Sequence, residues 1–309
     1  MRLIPCSALC FISALLLCGP AEAAYKLVHE PAANDPMQVH IYELDNGLQV
    51  YLTTNDEEPR FYAEIIVRAG SKHDPQDATG IAHYLEHMLF KGSRQLGTLD
   101  FDAEKEHLDR IEALYEEHFS ETDPERRTAL YEQINEANQL AAQYAIPNEL
   151  DRLYTAMGER ALNAHTSLEE TVYKVDLPSN RIEHWAKVEA ERFHQPVFRL
   201  FQTELETVYE EKNRSMDNKD RVIRNAVQQQ LYKAHSYRNT TLGSVEHLKN
   251  PSLARMYEYY HTYYVPNNMA IAISGDIDIE RTISLIDREF SIWEAKKDRK
   301  STRLNSSHQ

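Results

Sequence analysis

Cysteine is almost missing from this sequence: its 309 residues include three, Cys6, Cys10 and Cys18, all close to the N-terminus. Residues 1–23 read as a cleaved secretory signal, with a basic Arg2, an apolar stretch from Ala8 to Cys18 too short to span a bilayer, and an A-x-A pattern over Ala21-Glu22-Ala23. Cleavage there leaves no thiol, which excludes disulfides, cysteine catalysis and thiolate metal ligands together. Lipid anchoring through Cys18 fits less well, because Leu17 is a poor residue before a lipidated cysteine. Beyond the signal there is no apolar run of membrane-spanning length, so no transmembrane anchor is expected and the protein should be periplasmic or secreted. Basic charge is also scarce. Lys+Arg number 34 against 49 Asp+Glu, a formal charge of −15, which argues against a surface that neutralises nucleic-acid phosphates. What remains is an ordinary globular composition, 42% hydrophobic and 27% charged, with enough apolar residues for a sizeable core.

Apolar and β-branched residues flank the turn Asp45-Asn46-Gly47, predicting a hairpin from Val39 to Thr53, and Phe61 to Arg68 predicts a further strand. Helical spacing follows from Thr79 to Phe90, with Gly92 expected as the C-cap. Leu108, Ile111, Tyr115 and Phe119, then Leu130, Ile134, Ala137 and Ala141, recur at helical steps on either side of Thr122-Asp123-Pro124-Glu125. The cap residue followed by proline predicts an antiparallel helical hairpin. Further on, Asn163 to Asp176 reads as a strand, Asn180 to Phe193 as a helix and Glu204 to Lys233 as one long helix. Asn268 to Ser274 reads as a buried strand and Ile279 to Phe290 as a closing helix. The fold class expected is α+β, a mainly antiparallel sheet with helices packed on one face. The division expected is a linker over 24–37, a domain over 38–295 with the hairpin inserted at about 100–146, and a tail over 296–309. From residue 301 that tail is small and polar without periodicity and looks non-native, so the natural chain is expected to continue past it.

The segment richest in chemistry is His83-Tyr84-Leu85-Glu86-His87. Histidines four apart project from one helix face, so both imidazoles can reach a single metal, and Glu86 lies on the same side as a candidate base. Among chains with 14 His in 309 residues, chance supplies such a motif in on the order of 0.1 of them. On spacing alone the residues also fit a surface helix with solvated histidines. A zinc hydrolase needs a third protein ligand, and the stretch from Glu204 to Glu211 offers carboxylates two turns apart on a shared face.

The inverted H-x-x-E-H followed by E-x-x-x-V-x-x-E, here Glu204 to Glu211, resembles the pitrilysin/insulinase family of zinc peptidases. Asn163-Ala164-His165-Thr166-Ser167 is similar to the family's N-A-x-T-S strand. Tyr264 to Met269 and Ser274-Gly275-Asp276 resemble the end of its first homologous domain. The similarity runs from about Val39 to Trp293. It implies a pitrilysin/mitochondrial-processing-peptidase-like domain holding one zinc ion per chain on His83, His87 and Glu211, with Glu204 as a supporting carboxylate. Glu86 would be the catalytic base, and Asn163, Ala164, His165 and Thr166 would meet substrate, partly by main-chain pairing as an added strand. The interval from His87 to Glu211 is longer than usual in the family, and the surplus matches the Phe101 to Ala145 hairpin.

The activity implied is endopeptidase hydrolysis of peptides or unfolded segments, with metal affinity expected to fall below about pH 6.5 as the imidazoles protonate. Family enzymes carry a second homologous half that closes over the first, so a partner half is expected in cis or as a separate subunit. The alternative is a non-enzymatic scaffold or partner subunit of the same fold, which would not require His83, Glu86, His87 and Glu211 together. The tyrosines at 257, 259, 260, 263 and 264 read as packing against the sheet, and the alternating charges from Lys212 to Arg224 as a solvated helix face, with a substrate role left open because the resemblance places that stretch near the cleft.

Overall fold

Alternation along Arg60–Val67 sets the architecture: Phe61, Ala63, Ile65 and Val67 are buried, while the residues between them face outward. The computed structural model describes residues 24–296, so the expected signal and most of the expected tail lie outside the described residues. In chain order the elements are β1 (Tyr25–His29), β2 (His40–Leu44), β3 (Gln49–Thr54), β4 (Arg60–Val67), α1 (Ile81–Met88), α2 (Phe101–Ser120), α3 (Pro124–Ala141) and α4 (Glu149–Met157). They continue with β5 (Arg160–Thr166), β6 (Thr171–Pro178), α5 (Ile182–His194), α6 (Phe201–Met216), α7 (Lys219–Leu231), α8 (Val245–Leu248), α9 (Leu253–Tyr263), β7 (Met269–Gly275) and α10 (Ile279–Phe290).

The strands form one sheet in the order β1-β2-β3-β7-β4-β6-β5, antiparallel throughout except for the parallel β3–β7 pair. Register carries rows of inward-facing residues straight across it. Val50, Ile271, Ile65, Tyr173 and Ala164 form one such row, and Met269, Val67, Thr171 and Thr166 another. Both end on β5, the edge strand, so the sheet's buried face delivers Ala164 and Thr166 to the rim. The helices pack on that face: Leu85, Trp185, Met256, Ile283 and Ile286 share a single core with the buried strand residues. Lys174 and Asp176 occupy the other, more open face. This is the α+β arrangement expected.

The helical hairpin forms as read. Asp123 caps α3, accepting from the backbone N–H of Glu125 and Arg126, and Pro124 opens it. Arg110 donates to Gln133, as antiparallel packing of α2 on α3 requires. Its anchor is a buried ion pair. Arg199, 1% exposed, reaches Glu104, 0% exposed, at 2.9 Å and also donates to the carbonyls of Lys91, Ser93 and Leu96. Of the tyrosines expected against the sheet, Tyr264 places its hydroxyl 3.0 Å from that of Tyr173 on β6, and Tyr259 donates to the Gly70 carbonyl, whereas Tyr257 stacks on Phe198 instead.

Four boundaries differ from expectation. Tyr25–His29, expected as linker, is an edge strand held by β2 and by an edge-to-face contact between Tyr25 and Tyr42. The single strand expected over Asn163 to Asp176 is the β5–β6 hairpin. Its turn lacks glycine and proline; the Ser167 hydroxyl makes it by accepting from the N–H of Glu169 and Glu170. The long helix breaks into α6 and α7 because Asn218 caps a new start, accepting from Arg221 N–H at 3.0 Å. Finally, Leu89 rather than Gly92 is the C-cap of α1; Gly92, at φ 102, forms the turn that follows, where a Cβ would lie 2.2 Å from the Leu96 carbonyl oxygen.

Candidate metal centre

α1 is buried on nearly every side. Asp74 secures its first turn, accepting from the N–H of Gly80 and Ala82, and Leu85 and Met88 root it in the core. The i, i+4 spacing then stacks His83 and His87 with ring centroids 4.7 Å apart. α6 crosses beside it because Phe201 packs on Tyr84, whose hydroxyl donates to the Phe201 carbonyl. That crossing places Glu211 Oε2 3.5 Å from His83 Nε2 and 3.7 Å from His87 Nε2.

These three residues offer ligand atoms that all lie within 4.8 Å of one another. Tetrahedral zinc with bonds of about 2.0–2.1 Å separates its ligand atoms by about 3.3 Å, so the donor set fits the ion in both chemistry and spacing. The tautomer of His87 fits as well. Its Nδ1 lies 2.7 Å from Glu204 Oε1, which leaves the Nε2 lone pair directed at the site. His83 Nδ1 is buried and has no hydrogen-bond partner among the described residues. Burial, reinforced by the neighbouring His87, pushes the His83 pKa down to about 3.

Sequence reasoning missed Lys91. Its Nζ lies 2.5 Å from Glu204 Oε2, so one carboxylate is held by both His87 and Lys91. Burial works to raise the Glu204 pKa, and the hydrogen bonds from His87 and Lys91 outweigh it, leaving the group below the usual carboxylate range. No local signal marks Lys91: it lies past the end of α1, and only the packing of α6 brings Glu204 to it.

Glu86 faces the same space, and its Oε2 accepts from the Thr166 hydroxyl at 2.5 Å. Burial raises its pKa, against the opposing pull of Thr166 and His87. A cleft of about 570 Å³ opens from the three candidate ligands. Asn163, Ala164, His165 and Thr166 of β5 form one wall, and α7 contributes another. Asn163 and His165 are exposed; the Asn163 side-chain oxygen accepts the Ala164 N–H at 2.9 Å. All the residues singled out for the site thus border one cleft, except Glu204, which stands behind His87. Among the described residues no helix is long and apolar enough to cross a membrane.

Residues 49–108 and 140–245 match the family described as Insulinase (Peptidase family M16), and residues 252–308 match the Peptidase M16 inactive domain. The interruption between the first two segments falls within α2 and α3. The chain is 27% identical over 277 residues to "Probable zinc protease PqqL" of Haemophilus influenzae, covering 87% of this chain and 25% of that protein. It is 23% identical over 257 residues to "Uncharacterized zinc protease YmxG" of Bacillus subtilis, covering 82% of this chain and 50% of that one. The chain therefore spans a quarter to a half of the length of these relatives. Its fold matches the crystal structure of a protease from Helicobacter pylori with a TM-score of 0.64 at 19% identity, over 85% of this chain and 52% of that one. It also matches the first half of the periplasmic protease PqqL from Escherichia coli with a TM-score of 0.62 at 21% identity, over 84% and 47% of the two chains. With more than half of its residues matched to the family and its fold shared with these proteases, the chain belongs to the insulinase family of peptidases, family M16.

Proposed function

We propose that this chain is the metal-bearing half of a zinc endopeptidase that hydrolyses peptides or unfolded protein segments. The observation that carries the reading is the convergence of His83, His87 and Glu211 within 4.8 Å, beside the buried Glu86. His83, His87 and Glu211 would hold one zinc ion, with Glu204 and Lys91 orienting His87. When bound, zinc supplies Lewis acidity, polarising the scissile carbonyl and lowering the pKa of water to about 7. Glu86 takes the proton of the attacking water and delivers it to the leaving nitrogen, so that cleavage yields a carboxylate and an amine. Its raised pKa suits a group that must both accept and return a proton. Thr166 fixes the carboxylate's orientation while leaving one oxygen free for this exchange.

Substrate would enter as an extended strand along the free edge of β5, where Asn163, Ala164, His165 and Thr166 border the cleft. Pairing there requires the Asn163 side chain to release the Ala164 N–H it now engages. The open cleft calls for a second homologous half, in cis or as a separate subunit, to close over the peptide. Residues 1–23 would direct export, in keeping with the periplasmic location named for the Escherichia coli relative. The test is zinc per chain by elemental analysis. The parent should hold about one ion, Glu211→Ala clearly less, and Glu86→Gln should keep the metal while losing turnover in the complete protein. A folded parent without zinc rejects the reading.

A further inference from the structure

The wall of the cleft facing β5 is basic, in a chain whose formal charge is −15. Arg221, Arg224, Asn225 and Gln228 recur at i, i+3, i+4 and i+7, so one face of α7 is turned to the cleft. Beneath them Lys212, 8% exposed, is fixed by donating to the Gly243 carbonyl at 2.7 Å and to Thr240 at 3.3 Å. Among the described residues no ion pair engages Arg221, Arg224 or Lys212. Among the described residues the carboxylates lining the cleft are Glu86 and Glu211, which the proposed mechanism already employs. Lys212 and the Gln228 amide, which donates to the Tyr237 carbonyl, are already engaged, so the guanidinium groups of Arg221 and Arg224 are what this wall offers an acceptor.

We propose that the α7 face is a substrate subsite for a carboxylate side chain, Asp or Glu, flanking the scissile bond. This rests on the peptidase reading of the metal centre. A peptide paired with β5 passes between that strand and α7, and alternate side chains of an extended strand point to opposite sides. Those turned from the sheet edge meet Arg221 and Arg224, whose planar guanidinium groups each donate two parallel hydrogen bonds to a carboxylate. Asn225 adds a neutral donor on the same face. The protein's overall charge works the other way, repelling acidic peptides at long range. Selection of an acidic residue therefore has to come from the local wall, and this makes the sign of the preference diagnostic.

The experiment uses the zinc-loaded chain carrying Glu86→Gln, so that bound peptide is not consumed. Fluorescein-labelled decapeptides, neutral except for one central Glu, Gln or Lys, are titrated by anisotropy. The Glu peptide should bind about tenfold tighter than the Lys peptide, the scale expected of two partly exposed charge pairs replaced by repulsion. Added salt should shrink the difference. In the Arg221→Glu/Arg224→Glu variant the order should invert, with circular dichroism and zinc content unchanged because both side chains are exposed. Equal affinity for Glu and Lys peptides, or a preference that survives the double substitution, overturns the subsite while leaving the peptidase reading standing. If no peptide binds a chain that holds no zinc, the peptidase reading falls and the subsite falls with it.

Discussion

Lys91 Nζ lies 2.5 Å from Glu204 Oε2, and the other oxygen of that carboxylate faces His87 Nδ1 at 2.7 Å. The lysine thereby holds Glu204 charged and in place, and Glu204 in turn sets which nitrogen of His87 is free to bind metal. Supporting groups of this kind typically change metal affinity 10- to 100-fold. Lys91→Ala should weaken zinc binding about tenfold, measured by competition with a chelator, while Lys91→Arg should retain most of it. An alanine variant with parental zinc affinity removes Lys91 from the site.

The stretch that carries Lys91 is itself pinned by Arg199, which spans from the Lys91, Ser93 and Leu96 carbonyls to Glu104 of α2. Both charged groups are fully buried, so deleting one leaves the other without compensation, a loss of about 3–5 kcal/mol. Arg199→Ala should lower the unfolding free energy from urea titration by that amount and weaken zinc binding as well. If stability falls without any change in zinc affinity, the hairpin stabilises the fold but does not position the site.

Legibility in the sequence followed the strength of local signals. H-x-x-E-H on one helix needs only the 3.6-residue period, so the juxtaposition of His83, Glu86 and His87 could be anticipated before any tertiary contact was known. The α2–α3 hairpin carried its own cap and proline. Boundaries set by single side chains were harder to see. Ser167 turns β5 into β6 and Asn218 splits the long helix, each through hydrogen bonds to nearby backbone that periodicity does not register. The strand Tyr25–His29 is mostly exposed on both faces, and without a buried face it has no alternation to read. Lys91 meets Glu204, and the basic face of α7 borders the cleft, only through tertiary packing. Their local pattern is that of ordinary solvated charge.

Acid sensitivity should arise in part from His73. Burial, aided by the neighbouring Lys72 cation, draws its pKa down to about 4 from 6.5. Between those values the unfolded chain binds more protons than the folded one, so stability rises with pH in this window. The contribution is complete above pH 6.5 and is lost as the pH falls toward 4. His73→Phe keeps a ring against Tyr263, whose centroid is 4.8 Å away, and removes the titration. In metal-free protein its melting temperature should fall less steeply between pH 6.5 and 4 than that of the parent. Identical slopes would exclude His73 as the source.

The start of α1 depends on a contact between two glycine backbones. Gly243, at φ 67, lies against Gly80, and a Cβ built on it would fall 2.2 Å from the Thr79 carbonyl oxygen and 2.7 Å from Gly80 Cα. Both neighbours are backbone and cannot rotate away. Gly158, at φ 85, provides a control: its nearest neighbour is the Pro178 ring at 3.4 Å, a side chain rather than backbone of the α1 turn. Each alanine substitution pays about 1–2 kcal/mol for the left-handed backbone. Gly243→Ala adds displacement of the turn that begins the His83 helix, while its own carbonyl anchors Lys212 of α6. Zinc affinity should therefore drop in Gly243→Ala and hold in Gly158→Ala, even where urea midpoints show that both are destabilised. Equal zinc affinity in the two variants would mean that α1 keeps its ligands in place without this contact, relying on its core residues and on Asp74 alone.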